Sequence, residues 1–193
     1  MNLQHINIKI YLEHPETVNL ADFGAVFNSW IQEQRLEELL IDVADYLHVH
    51  HGPGIMLIGH EADYSLDHRA GRLGLLYNRK EQVNGTNQEI LAQAVRAALT
   101  AAQILEKENG LKFIGSEVQV IVNDRLLIPN TGETFDALEA GLQTFFNRLY
   151  NGAEFTLAHL FNPRERFTVN VKTEASFDVD TLLKNLSGET AHA

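Results

Sequence analysis

Four of the nine histidines in this chain fall between residues 48 and 60, in His48-Val49-His50-His51-Gly52-Pro53-Gly54 and in Gly59-His60-Glu61-Ala62-Asp63. Imidazole and carboxylate are the ligand types that hold zinc, iron or manganese when no thiolate is on offer. On an extended strand His48 and His50 project from one face together with Asp42 and Tyr46, and Val43, Leu47 and Val49 project from the other. Whether His60 joins them depends on hairpin parity, because directly opposed residues of an antiparallel pair share a face. A three-residue loop at Gly52-Pro53-Gly54 sets His48, His50 and His60 on one side. A loop of two or four residues sends His60 to the other, and a β-bulge reverses either result. Three such ligands leave one coordination position for water, whose pKa the metal lowers, with Glu61 or Asp63 as the general base. The competing reading is a set of partly exposed polar residues at a hairpin end.

A second concentration of chemistry follows. His68, Arg69, Arg72, Arg79 and Lys80 gather positive charge in a chain whose formal net charge is −11. Arg69, Arg72 and Arg79 are the residues expected to hold a phosphate or carboxylate of a small ligand, against the plainer alternative of a solvated loop and strand end. His159 lies in an apolar run and is expected to be a hydrogen-bonded sheet histidine. Ser65 and Ser116 lack the context of an activated serine nucleophile. Asn84-Gly85-Thr86-Asn87 reads as a helix cap, since it lacks the glycine spacing of a phosphate loop.

Composition limits the classes of function. The acidic balance repels nucleic-acid phosphates and anionic lipid headgroups, so neither nucleic acid nor membrane is expected as a partner. There is no cysteine, which removes disulfides, thiolate nucleophiles and cysteine-bound metals. No stretch approaches the roughly 18 consecutive apolar residues of a membrane helix, and the first residues carry no signal pattern, so a cytoplasmic location is expected.

The elements that must position these groups read as α+β. Ile6, Ile8 and Ile10 alternate with Asn7, Lys9 and Tyr11 as in a strand with one buried face. Asn19, with Asp22 three residues on, reads as the cap of a helix with the apolar stripe Phe23, Val26, Phe27 and Trp30, ending near Arg35. Leu39 to Val49, Ile55 to Ile58 and Leu73 to Tyr77 read as a three-stranded meander whose middle connection holds Glu61, Asp63, Asp67, His68 and Arg69. Thr86 and Glu89 form a capping box for an amphipathic helix closed by Gly110. Val118, Val120 and Val122 alternate in a strand, Asn123-Asp124 turns into Leu126 to Ile128, and Thr134 begins an aromatic helix. Asn162-Pro163-Arg164-Glu165 joins Phe155 to Phe161 with Phe167 to Thr173, and a short helix near Asp178 to Leu186 precedes a tail from about residue 188. The expectation is one domain over residues 1–193, with an antiparallel or mixed sheet of about 6–8 strands and three main helices on one face.

Two functional readings follow. The favoured one is a ligand- or partner-binding domain with a histidine-rich hairpin, self-associating as a homodimer through its apolar surface or strand edges. The alternative is a metal-dependent hydrolase built on His48, His50 and His60.

Overall fold

The computed structural model describes residues 1–49 and 52–188. The strand expected from the alternating isoleucines is β1 (Ile6–Leu12), and it sits inside a larger sheet. The other strands are β2 (Leu40–Asp45), β3 (Ile55–Gly59), β4 (Ala62–Asp67), β5 (Gly74–Arg79), β6 (Phe113–Val122), β7 (Phe155–His159) and β8 (Phe167–Thr173). They run β2-β3-β4-β5-β1-β6-β8-β7 across one eight-stranded sheet, and every neighbouring pair is antiparallel.

Four helices accompany the sheet: α1 (Phe23–Glu33), α2 (Asn87–Asn109), α3 (Gly132–Leu149) and α4 (Val179–Ser187). They cover the face that carries Ile6, Ile8, Ile10, Leu57, Tyr64, Tyr77, Val118, Val120 and Val169, and these residues merge with the apolar stripes of the helices into one core. Helix α2 lies over β1 and β5. Its buried alanines Ala94, Ala98, Ala101 and Ala102 give it the close approach that small side chains permit. The capping box forms as the spacing requires: the Thr86 hydroxyl accepts from the Glu89 amide, and the Glu89 carboxylate accepts from the Thr86 amide. Gly110 ends the helix at φ 68°, where a Cβ would be strained.

Three elements differ from expectation. The meander has four strands, because Ala62–Asp67 pairs with both β3 and β5 instead of looping between them. Leu126 to Ile128 is a turn, with Asp124 Oδ1 accepting from the amides of Leu126 and Leu127. Asn19 does not cap α1; its side-chain amide donates to Asp22 and a short 3-10 turn over Leu20–Asp22 leads into the helix. Among the described residues no helix is long and apolar enough to cross a membrane.

The register places Gly74 between Asp67 of β4 and Tyr11 of β1. A Cβ on Gly74 would lie 2.5 Å from the Ile10 carbonyl oxygen, so β1 and β5 approach closely only because this residue has no side chain. Gly74→Ala is expected to destabilise the fold by roughly 1–3 kcal/mol, measured as the shift in urea-unfolding free energy against the parent chain.

Candidate functional site on the open sheet face

The face of the sheet away from the helices carries the alternate residues of each strand, and its centre is polar yet buried. Asn7, Lys9, Ser65 and Asp67 are all inaccessible there. The side chains of Lys9 and Asp67 are only 4% and 1% exposed, with Lys9 Nζ 3.0 Å from Asp67 Oδ1. Lys9 is directly opposite Leu76. Its side chain therefore crosses β5 toward the Gly74 position, where no side chain stands in the way, to reach β4.

Asp67 is held from several directions. Its Oδ1 accepts from Lys9 and from the Arg69 backbone amide at 2.7 Å, while Oδ2 lies 2.9 Å from Arg69 Nε. That last contact is ionic and poorly aligned for a hydrogen bond, since neither atom finds a hydrogen-bonding partner. Lys9 also donates to the Arg69 carbonyl. Burial pulls the Lys9 ammonium below the usual lysine range, and Asp67 opposes that pull. Breaking one member of such a pair leaves the other charge buried. Lys9→Met is expected to cost about 3 kcal/mol, and Lys9→Met combined with Asp67→Leu to recover most of it; a double-mutant cycle by chemical denaturation measures the coupling.

Around this pair lies a cavity of about 810 Å³, within the size range of small-molecule sites. Its floor is Lys9, Tyr11, Leu76, Gln119, Ile121 and Thr168, and its wall is the β7–β8 connection, from Leu160 to Asn162 with Glu165 and Arg166, which folds back over the open face. Lys9, Arg69 and Arg166 face Asp67 and Glu165 across it, so cations outnumber carboxylates. Arg166 is half-buried. Burial, with Arg69 nearby, pulls its guanidinium below the usual arginine range. Among the described residues its side chain has no ion-pair partner.

The connection is anchored at its base by Asn130, whose side-chain amide donates to the carbonyls of Leu160 and Arg166 at 2.9 and 3.0 Å. The amide nitrogen is thereby committed, so Asn130 Oδ1 faces His159 Nε2 at 2.6 Å and the histidine carries its proton on Nε2. The His159 ring stacks on Phe135, as a sheet histidine should. Burial pulls its pKa below the ordinary value. The unfolded chain then takes up this proton before the folded chain does, so stability is full above about pH 6.5 and declines as the pH falls below that. His159→Gln is expected to flatten the loss of thermal stability between about pH 7 and 5, which a pH series of melting curves compares with the parent.

The residues expected to bind an anion are dispersed. Arg69 lines the cavity. Arg72 is engaged by Glu117 through two contacts of 2.5 and 3.0 Å and lies over the Tyr11 ring, so its charge is neutralised outside the cavity lining. Arg79 points its Nε to the Glu81 carbonyl at the far end of β5. His68 belongs to a separate depression with Tyr46, Leu47 and Val49.

The histidine-rich segment does not form the short hairpin considered for it. Strand β2 stops at Asp45, opposite Ile55, and the Tyr46 amide donates to the Gly54 carbonyl. His48 therefore sits in the connecting turn, whereas the His60 amide bonds Leu39 at the other end of the pair. About five residues of strand, roughly 15 Å, separate these ends. His60 is 61% exposed beside Glu61, and His50 lies outside the described residues. Glu61 accepts from the Leu39 amide, and Asp63 is paired with Lys80 at 2.7 Å. Among the described residues no three His, Asp or Glu side chains form a group able to hold a metal ion.

A smaller cavity of about 400 Å³ lies beside α2, lined by Glu37, Glu38, Tyr64, Gln93 and Arg96. There the Tyr64 hydroxyl donates to Glu38, and burial pushes its pKa well up, so it remains a protonated donor already in use. In the open-face cavity, by contrast, the Arg166 side chain makes no ion pair among the described residues. Compared with known protein families, with curated proteins and with solved structures, the chain gives no match.

Proposed function

We propose that this chain is a binding domain for a small anionic molecule, a carboxylate or phosphate, held on the open face of the sheet between Arg69 and Arg166. The observation that carries the reading is the half-buried Arg166 guanidinium facing a second arginine across the cavity, with no ion-pair partner among the described residues. Arg166 meets Arg69 as a like charge, opposed by Asp67 and Glu165, and its planar guanidinium matches carboxylate and phosphate oxygens two at a time. The protein's overall charge of −11 makes this local excess of cations selective, because anions are repelled from most of the remaining surface.

Lys9 and Asp67 have a supporting part. They fix the segment that begins at His68 and bring the Arg69 backbone carbonyl and amide into one network. The Arg69 guanidinium is thus tethered at its Nε side by Asp67, which leaves its terminal nitrogens for a ligand.

Inorganic phosphate and acetate, titrated at low ionic strength and followed by amide chemical shifts, are expected to perturb Arg69, Ala70, Gln119 and Arg166 in a saturable way. Arg166→Gln is expected to weaken this binding by about tenfold or more, the worth of a charge-assisted contact. Unchanged affinity in that variant, or shifts spread evenly over the surface, would count against the site.

A further inference from the structure

The rim of the same cavity is apolar. Leu160 and Phe161 line it and are 43% and 64% exposed. Leu126 and Leu127 are exposed in the neighbouring turn. That turn runs alongside the β7–β8 connection, because Arg125 Nη1 donates to the Arg164 carbonyl at 2.6 Å and Asn130, just beyond the turn, bonds both ends of the connection. Leu160 and Phe161 thus stand at the mouth with cations behind them, and the turn that carries the exposed Leu126 and Leu127 is joined to the same connection. Scattered exposed leucines need no explanation, but a contiguous set beside a binding cleft does.

We infer that the ligand is an anionic amphiphile, with a carboxylate or phosphate head between Arg69 and Arg166 and an aliphatic tail lying along Phe161, Leu160 and the Leu126-Leu127 turn. The inference rests on the anion-binding reading above and adds the tail. Charge complementarity orders the two ends. The head is drawn past the rim to the guanidinium groups, and the tail is left where the protein offers only hydrocarbon. Inside the cavity the buried Leu76 and Ile121 continue the apolar surface beneath the head. Leu160 at the rim and Leu126 and Leu127 in the adjoining turn are aliphatic, a surface that fits a flexible chain better than a planar base. A free fatty acid or alkyl phosphate and a phospholipid in a bilayer share this chemistry. The charged groups at the centre of the cavity, Lys9 and Asp67, are buried, which favours a molecule free to leave the bilayer entirely.

The test is calorimetric titration of the intact chain with acetate, decanoate, decanol and adenosine monophosphate, with decanoate kept below its micellar concentration, alongside cosedimentation with phosphatidylglycerol–phosphatidylcholine vesicles. Decanoate is expected to bind one per chain and roughly 100-fold more tightly than acetate, with decanol far weaker. Phe161→Ser, at an exposed position that the fold does not need, is expected to weaken decanoate about tenfold and to leave acetate unchanged. Equal affinity for acetate and decanoate would remove the tail and keep the anion site. Binding of neither would overturn both readings. Tighter binding of the nucleotide, or vesicle binding without any binding of free decanoate, would replace the amphiphile with a base-stacking ligand or a membrane contact.

Discussion

A lysine buried in the middle of a sheet, on the side no helix covers, is the constraint around which the rest of this structure is arranged. Lys9 and Asp67 come from strands that are not neighbours, and the contact between them holds only because Gly74, on the strand that separates them, presents no side chain. An ion pair so placed adds little net stability, since desolvation offsets much of the attraction. Its value is positional. It makes the open face specific, fixing which strands lie side by side and where the segment from His68 to Arg72 leaves the sheet.

The two faces divide the work. On one, α2 with its alanines and α3 with its aromatic residues bury a continuous core, and this side supplies the stability through the removal of apolar area from water. On the other, polar groups are tucked against each other and against one folded-back connection. Asn7 and Asn78, directly paired across β1 and β5, each keep a side-chain oxygen without a protein partner, as is tolerated near a wet cleft and costly in a dry core. The arrangement separates the packed apolar side of the sheet from the side that carries the polar cavity.

Much of the architecture was legible in the sequence, because it depends on periodicities that local sequence carries. The alternation in β1, β6 and β8, the capping box of α2 and the Asn162-Pro163 turn all appear where the spacing requires them. Strand β4 was obscured by its charges: Asp63 and Asp67 suggest a loop, yet Ala62, Tyr64 and Leu66 alternate with them and are fully buried. That alternation was the available signal. The site was legible only in part. Arg69, one of the arginines expected to hold an anion, lines the cavity, but Lys9 reads in sequence as an ordinary outward residue and nothing in the local pattern singles out Arg166. Both acquire their character from a loop that folds over the open face, a non-local event that no window of sequence records. The histidine-rich segment is legible as a density of side chains and not as a geometry, since His50 lies outside the described residues. The strand that would align the histidines ends at Asp45.

The clamp formed by Asn130 has a consequence for how this protein can vary. One side-chain amide holds the carbonyls of Leu160 and Arg166 together, so the chain between them is a closed circuit whose ends are set independently of what lies inside. Residues can be added, removed or exchanged within that circuit without disturbing the register of β7 on β8, which is fixed from His159 opposite Val169 onward. The mouth of the cleft is therefore a replaceable fitting on a permanent frame. Exchanges inside this circuit would reshape the cavity mouth and leave Asn130, Lys9 and Asp67 in place.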